Sequence, residues 1–143
     1  MRALCTLATG LLVAAGCDVS EPETDAGPYV YGDVPLVASA SYEAYRAERE
    51  RALSVLFEQT GGMPASSVRE CGLLPLGEQA CGGPHGEVGY AAAAPGTAAA
   101  IETGARLLGL DRYANRTFDV VVPCELYAEV RPALVGGRCV AAR

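Results

Sequence analysis

The sequence contains no tryptophan and no lysine, a single histidine, and nine aromatic residues in 143. Without lysine, Schiff-base and lysine-nucleophile chemistry are excluded. His85 is the only histidine that could activate a serine or cysteine nucleophile, and no Gly-x-Ser-x-Gly motif surrounds any serine. We therefore expect no enzymatic activity and no cofactor. The shortage of aromatics also predicts a thin core that needs covalent support.

Positive charge is scarce as well. Eleven arginines oppose 17 acidic side chains, which gives a formal net charge of −6. Binding to nucleic acid depends on Lys and Arg side chains that neutralise phosphates, so we expect no nucleic-acid partner. The same balance argues against a polybasic membrane anchor.

The first sixteen residues are typical of an export signal. Arg2 precedes an apolar run without charge, which ends in Ala14-Ala15-Gly16 directly before Cys17. The run is shorter than the ~20 residues that a membrane-spanning helix needs, and it fits a removable signal peptide. It resembles the signal of bacterial lipoproteins with their lipobox. The resemblance implies cleavage before Cys17 and a diacylglyceryl thioether on Cys17, and hence attachment to the membrane in the cell envelope, with the domain outside the cytoplasm.

Four cysteines remain once Cys5 is removed with the signal and Cys17 carries the lipid: Cys71, Cys81, Cys124 and Cys139. An even number in an exported protein predicts two disulfides, and three pairings are possible. The sequential pairing, Cys71–Cys81 with Cys124–Cys139, is favoured here. Each bond would close a short loop, and a Gly136-Gly137 turn would fold the last strand back on its neighbour.

The mature chain divides into a tether and a single domain. Residues 17–40 are acidic and interrupted by prolines, which predicts an extended linker. Residues 41–143 form the domain. Two apolar patches within the tether, Tyr29-Val30-Tyr31 and Val34–Val37, have two interpretations, packing on the domain as a short strand or docking on a partner, of which packing is favoured.

Two helices are predicted in the domain. The first covers 41–60, with Ser41 as N-cap, Gly61-Gly62 as the end, and one apolar stripe formed by Tyr42, Tyr45, Leu53, Leu56 and Phe57. The second starts at Thr97 and reaches about Asn115. Its buried side is predicted to contain Ile101, Ala105, Leu108 and either Leu107 or Leu110.

Strands are predicted at 87–94, 117–123 and 126–130, followed by a hairpin over 133–141. Residues 64–86 are rich in proline and glycine and are predicted to be an irregular loop. The expected fold class is α+β: a small disulfide-stapled domain with two helices packed on a short antiparallel sheet and a C-terminal hairpin.

Two segments could carry a site. His85, with Cys81, Glu78 and Glu87 nearby in the sequence, could bind copper or zinc. A zinc ion needs three or four protein ligands, however, so no metal site is expected. Residues 72–80 could form the rigid loop of a protease inhibitor.

The mature domain also resembles a group of small secreted bacterial lipoproteins. The resemblance lies in the cysteine pattern and its flanking residues: Cys71, Cys81-Gly82-Gly83-Pro84, Cys124-Glu125-Leu126 and Gly137-Arg138-Cys139-Val140. It implies the same stapled architecture. Together these features predict a lipid-anchored, non-enzymatic domain that binds an envelope protein or ligand, with inhibition of an envelope protease as the alternative and metal handling around His85 as the less favoured one.

Overall fold

A computed structural model of the chain describes residues 34–120 and 128–143. Its elements, in order, are helix α1 (Tyr42–Gly61), a 3-10 turn (Val68–Glu70), strands β1 (Cys71–Pro75) and β2 (Glu87–Ala91), helix α2 (Thr97–Thr117), and strands β3 (Arg131–Val135) and β4 (Arg138–Ala142). Two helices pack on antiparallel strands, so the α+β class is confirmed. The lipidation site Cys17 and the disulfide candidate Cys124 lie outside the described residues.

Helix α1 begins and ends where the sequence predicts. Ser41 has extended backbone, and its hydroxyl accepts a hydrogen bond from the Ala44 amide; Gly62 is the C-cap. The predicted apolar stripe is only partly right, because Tyr42 and Phe57 are exposed. Successive side chains of an α-helix point ~100° apart around its axis. The buried line therefore follows Tyr45, Ala52, Leu56 and Thr60, and it passes Phe57 by.

Helix α2 is longer than predicted. It runs to Thr117, and the Phe118 amide donates to the Ala114 carbonyl, so the predicted strand at 117–123 is wrong at its start. Residues 118–120 and 128–130 are described and form no strand, so those parts of the strands predicted at 117–123 and 126–130 are also wrong; the rest of both predictions falls on 121–127, outside the described residues. Leu107, Leu108 and Leu110 are buried as expected, whereas Ile101 is exposed.

The strands form two antiparallel hairpins. β1 lies within the region predicted to be irregular, and it pairs with β2 so that Cys71 is opposite Ala91 and Pro75 opposite Glu87. β3 pairs with β4 around Gly136-Gly137, which confirms the predicted C-terminal hairpin. Both turn glycines have positive φ, as a two-residue hairpin turn of this kind requires.

The two hairpins pack on each other and are covalently joined. Gly89 of β2 lies so close to β4 that a Cβ there would be 2.5 Å from the backbone nitrogen of Val140. The bond between Cys71 and Cys139 links β1 to β4. The sequential pairing is therefore wrong, because packing of the two hairpins brings together cysteines that are 68 positions apart in the sequence. Cys81 is also disulfide-bonded, and its partner is neither of these two.

The end of the predicted tether belongs to the folded domain. The Val37 amide donates to the Gly109 carbonyl at 3.2 Å, and the Val37 side chain packs against the core. Ser39 is buried and donates to Glu48. Packing on the domain is thus confirmed for Val37, whereas Leu36 is exposed and the patch forms no strand. Tyr29-Val30-Tyr31 lies outside the described residues, and the folded part begins before residue 41. Gly109 permits the approach, because a Cβ there would collide with the Pro35 carbonyl oxygen.

Candidate functional site

A fully buried carboxylate on α2 lies at the centre of the largest polar cluster that we find among the described residues. Asp111 Oδ1 accepts hydrogen bonds from the Tyr45 hydroxyl and from Arg49 Nε, both at 2.9 Å. Its other oxygen, Oδ2, accepts from the Glu78 amide at 3.0 Å. One side chain therefore connects α1, α2 and the segment between β1 and β2.

The charge of Asp111 is balanced from α1. A buried carboxylate is costly unless it is paired and hydrogen-bonded. Arg49 supplies the opposite charge and also donates to the Leu76 carbonyl at 3.3 Å. Burial, and then the negative charge of Asp111, raise the pKa of Tyr45 far above its ordinary value. Tyr45 therefore stays protonated and remains a donor to the carboxylate.

The connection between β1 and β2, which we call the 76–86 loop, is shaped around this carboxylate. Gly77 has a φ of +81°, and any Cβ at that position would overlap Asp111 Oδ2. Only glycine satisfies both the positive φ and the close approach. The position of the loop over α2 thus depends on a residue without a side chain.

A second set of contacts holds the same loop to α2. Arg112 Nε donates to Glu78 Oε2 at 2.9 Å, which forms an ion pair between helix and loop. Asn115 Nδ2 donates to the Glu78 carbonyl at 3.1 Å. Glu78 is therefore held through its amide, its carbonyl and its carboxylate, by three different residues of one helix.

The loop is also bonded within itself. The Leu76 amide donates to the Gly86 carbonyl at 2.8 Å and closes its base. Gln79 donates from its amide to Gly83 and from its side chain to the Pro84 carbonyl, both at 2.9 Å. We call residues 80–85 the loop tip. All of its residues except the half-buried Pro84 are exposed, and Cys81 within it is disulfide-bonded.

His85 is the titratable side chain of the loop tip. Its Nε2 lies 3.6 Å from Asp111 Oδ2, and the imidazole is partly exposed. A histidine beside a buried carboxylate supplies two of the three members of a catalytic triad, and the third is a nucleophile. Ser66 and Ser67 of the chain instead donate their hydroxyls to Glu70. The arrangement orients an imidazole at the surface, and no group of three His, Cys, Asp or Glu in the described residues could hold a metal ion.

The sequence predicts a candidate binding loop at residues 72–80, whereas the exposed part of this region in the structure is the loop tip. Within that segment Leu74, Pro75, Gly77 and Gln79 are buried, and only Ala80 is exposed. Asp111 was missed altogether. Its signal was a charged residue directly after Leu107, Leu108 and Leu110, on a helix face that otherwise reads as apolar.

The chain was compared with models of protein families, with curated proteins and with solved structures, and none of the three comparisons finds a match. Within 34–120 and 128–143, no helix is long and apolar enough to cross a membrane.

Proposed function

We propose that this protein is a lipid-anchored, non-enzymatic binding domain of the bacterial cell envelope and that it contacts its partner through the loop tip. One observation carries the second part: the loop tip is exposed at every position except Pro84, yet the loop is held by Asp111, by the ion pair of Glu78 with Arg112 and by its own hydrogen bonds. Binding residues are often found on exposed loops that a rigid scaffold positions.

A held loop favours binding because less conformational entropy is lost on association. Ordering a flexible loop or side chain at an interface weakens affinity, by ~0.5–1.5 kcal/mol per immobilised side chain. The loop tip has already lost this freedom on folding, through the Gln79 hydrogen bonds and the Cys81 disulfide. The loop tip presents small residues and the His85 imidazole to solvent, and such a surface suits a protein partner of complementary shape.

The lipid anchor rests on the leader and on Cys17. Cys17→Ser is expected to leave an unprocessed and unlipidated precursor, and globomycin is expected to make the wild-type precursor accumulate in cells. Both are measured by metabolic labelling with palmitate and by the apparent mass of the protein. Release of a mature, unlabelled protein under both conditions would contradict the anchor.

The loop tip is tested by crosslinking in intact cells. A photoreactive amino acid replaces Ala80 at the tip or, as the control, Ala98, which is an exposed alanine in the first turn of α2. We expect a discrete adduct from position 80 and none of the same mass from position 98. An adduct from position 98 alone would place the partner elsewhere on the domain.

Inhibition of an envelope protease is a second candidate, because inhibitors also present rigid loops. The candidate inhibitory residues are then 80–85 and no longer 72–80, since Ala80 is the only exposed residue of the latter segment. The domain at micromolar concentration would slow at least one protease in a panel of serine and cysteine enzymes. If every enzyme keeps its full rate, this candidate is rejected and the general binding role is unaffected.

A further inference from the structure

The C-terminal hairpin has an outer face that no other described element covers completely. In the register of β3 and β4, Val135 is opposite Arg138, and Arg131 is opposite Ala142. Arg131, Val135 and Arg138 are all exposed, and Val135 has 62% of its surface open to solvent. Cys139 points to the opposite side, where it is buried. We call the side formed by 131, 133, 135, 138, 140 and 142 the hairpin outer face.

Two of the six positions of this face, Arg131 and Arg138, are arginines and none is acidic. Residues 131–143 contain three arginines and no acidic residue, although the whole chain has a net charge of −6. Residues 17–33 show the reverse, with five acidic side chains and no arginine. Among the described residues, Arg131, Arg138 and Arg143 take part in no ion pair. Their charge is therefore available to an external partner.

We infer that the hairpin outer face rests on the anionic phospholipid surface of the bilayer in which the Cys17 lipid is inserted. The inference depends on the proposed lipid anchor. Each arginine near an anionic surface strengthens attachment about fivefold, and exposed Val135 adds an apolar contact. Because the anchor holds the domain close to the membrane, weak contacts of this kind suffice to orient it.

The hairpin has too few arginines to anchor the domain to a membrane by itself. A polybasic anchor uses about four to eight basic residues, and this segment has fewer. The face therefore selects an orientation for a domain that the lipid already retains. A second copy of the chain is a poor occupant, because two such faces would bring Arg131 and Arg138 of each copy together with like charge.

The absence of tryptophan makes the contact directly measurable. Val135→Trp introduces the only indole of the chain on the hairpin outer face, and Phe57→Trp does the same at an exposed position of α1. Each lipidated protein is reconstituted into vesicles of phosphatidylcholine alone or with added phosphatidylglycerol. For position 135 we expect the emission to move to shorter wavelength only with phosphatidylglycerol, and to return in high salt. Position 57 should give the same emission in both.

Charge reversal identifies the residues responsible. Arg131→Glu with Arg138→Glu is expected to abolish the emission shift of the tryptophan at position 135. Arg46→Glu with Arg51→Glu, exposed arginines on α1, changes the net charge equally and should leave the shift in place. Equal emission in both vesicle types, or equal loss with both pairs, overturns the inference.

Two further readings separate the alternatives. Flotation with pure phosphatidylcholine vesicles measures the lipid anchor alone, so its failure rejects the proposed anchor independently of the hairpin. An emission shift that grows with protein concentration in both vesicle types would identify a second copy as the occupant, and would overturn the membrane contact.

Discussion

Replacing Asp111 by asparagine removes one charge without changing the size of the side chain. Both carboxylate oxygens accept hydrogen bonds, from Tyr45 and Arg49 on Oδ1 and from the Glu78 amide on Oδ2. An asparagine has only one oxygen, so in either orientation its NH2 group faces a donor. Removing one partner of a buried ion pair costs ~3–5 kcal/mol, and partial hydration of Arg49 places the expected loss near the lower bound, at ~3 kcal/mol. No cavity contributes, because the two side chains have nearly the same volume.

The assay is urea unfolding of the oxidised protein, with the midpoint converted to a free energy of unfolding. Asp119→Asn is the matched control, since Asp119 is exposed and its positive φ of 49° is equally accessible to asparagine. We expect the control to stay within ~0.5 kcal/mol of the wild type. If Asp111→Asn unfolds at the same urea concentration as Asp119→Asn, the carboxylate does not hold the loop and the argument for the loop tip fails.

Three other perturbations test separate parts of the structure. Gly104→Ala should raise the free energy of unfolding by ~0.5–1 kcal/mol, because a Cβ there makes only ordinary contact. Gly109→Ala in the same helix should lower it, because a Cβ there would collide with the Pro35 carbonyl oxygen. The two variants should therefore shift the urea midpoint in opposite directions. The folded-state pKa of Tyr45 is raised, so the stability that its protonated hydroxyl contributes is fully present below the unfolded pKa of 10.0. Above that pH the free energy of unfolding should fall by ~1.4 kcal/mol per pH unit. Tyr45→Phe should remove that alkaline slope, and an unchanged slope would contradict it. A peptide map without reduction should contain a Cys71–Cys139 linked pair, and serine at both positions should lower stability by ~4 kcal/mol.

Features that depend only on residues close together in the sequence were predictable from it. The cap at Ser41, the glycine end of α1 and the Gly136-Gly137 hairpin are all encoded within a few positions of where they occur. In contrast, β1 ends in proline and pairs with a strand on the far side of a glycine-rich loop. Its short sequence has no alternation of its own, so only the pairing with β2 makes it a strand.

The polar cluster shows why the site was harder to predict than the fold. Tyr45, Arg49 and Glu78 reach Asp111 from 66, 62 and 33 positions away, so no window of sequence contains the arrangement. A local pattern identified α2 as amphipathic, but it could not say which donors would meet a charge on its buried face. The predicted disulfide pairing was wrong for the same reason, since the two bonded cysteines are 68 positions apart.

The way in which this domain is held together bears on its function. A buried ion pair is weak support for stability, because apolar side chains of similar volume often do as well or better. What Asp111 provides in addition is direction, since its two oxygens accept only from donors placed at fixed angles. Its donors on Tyr45, Arg49 and Glu78 fix α1 and the 76–86 loop relative to α2. A small domain that needed only stability could have filled this position with leucine, as it does at Leu107, Leu108 and Leu110 on the same helix. A charged residue there is better explained by the need for one particular loop geometry, and an exposed loop of fixed geometry is what recognition of a partner requires.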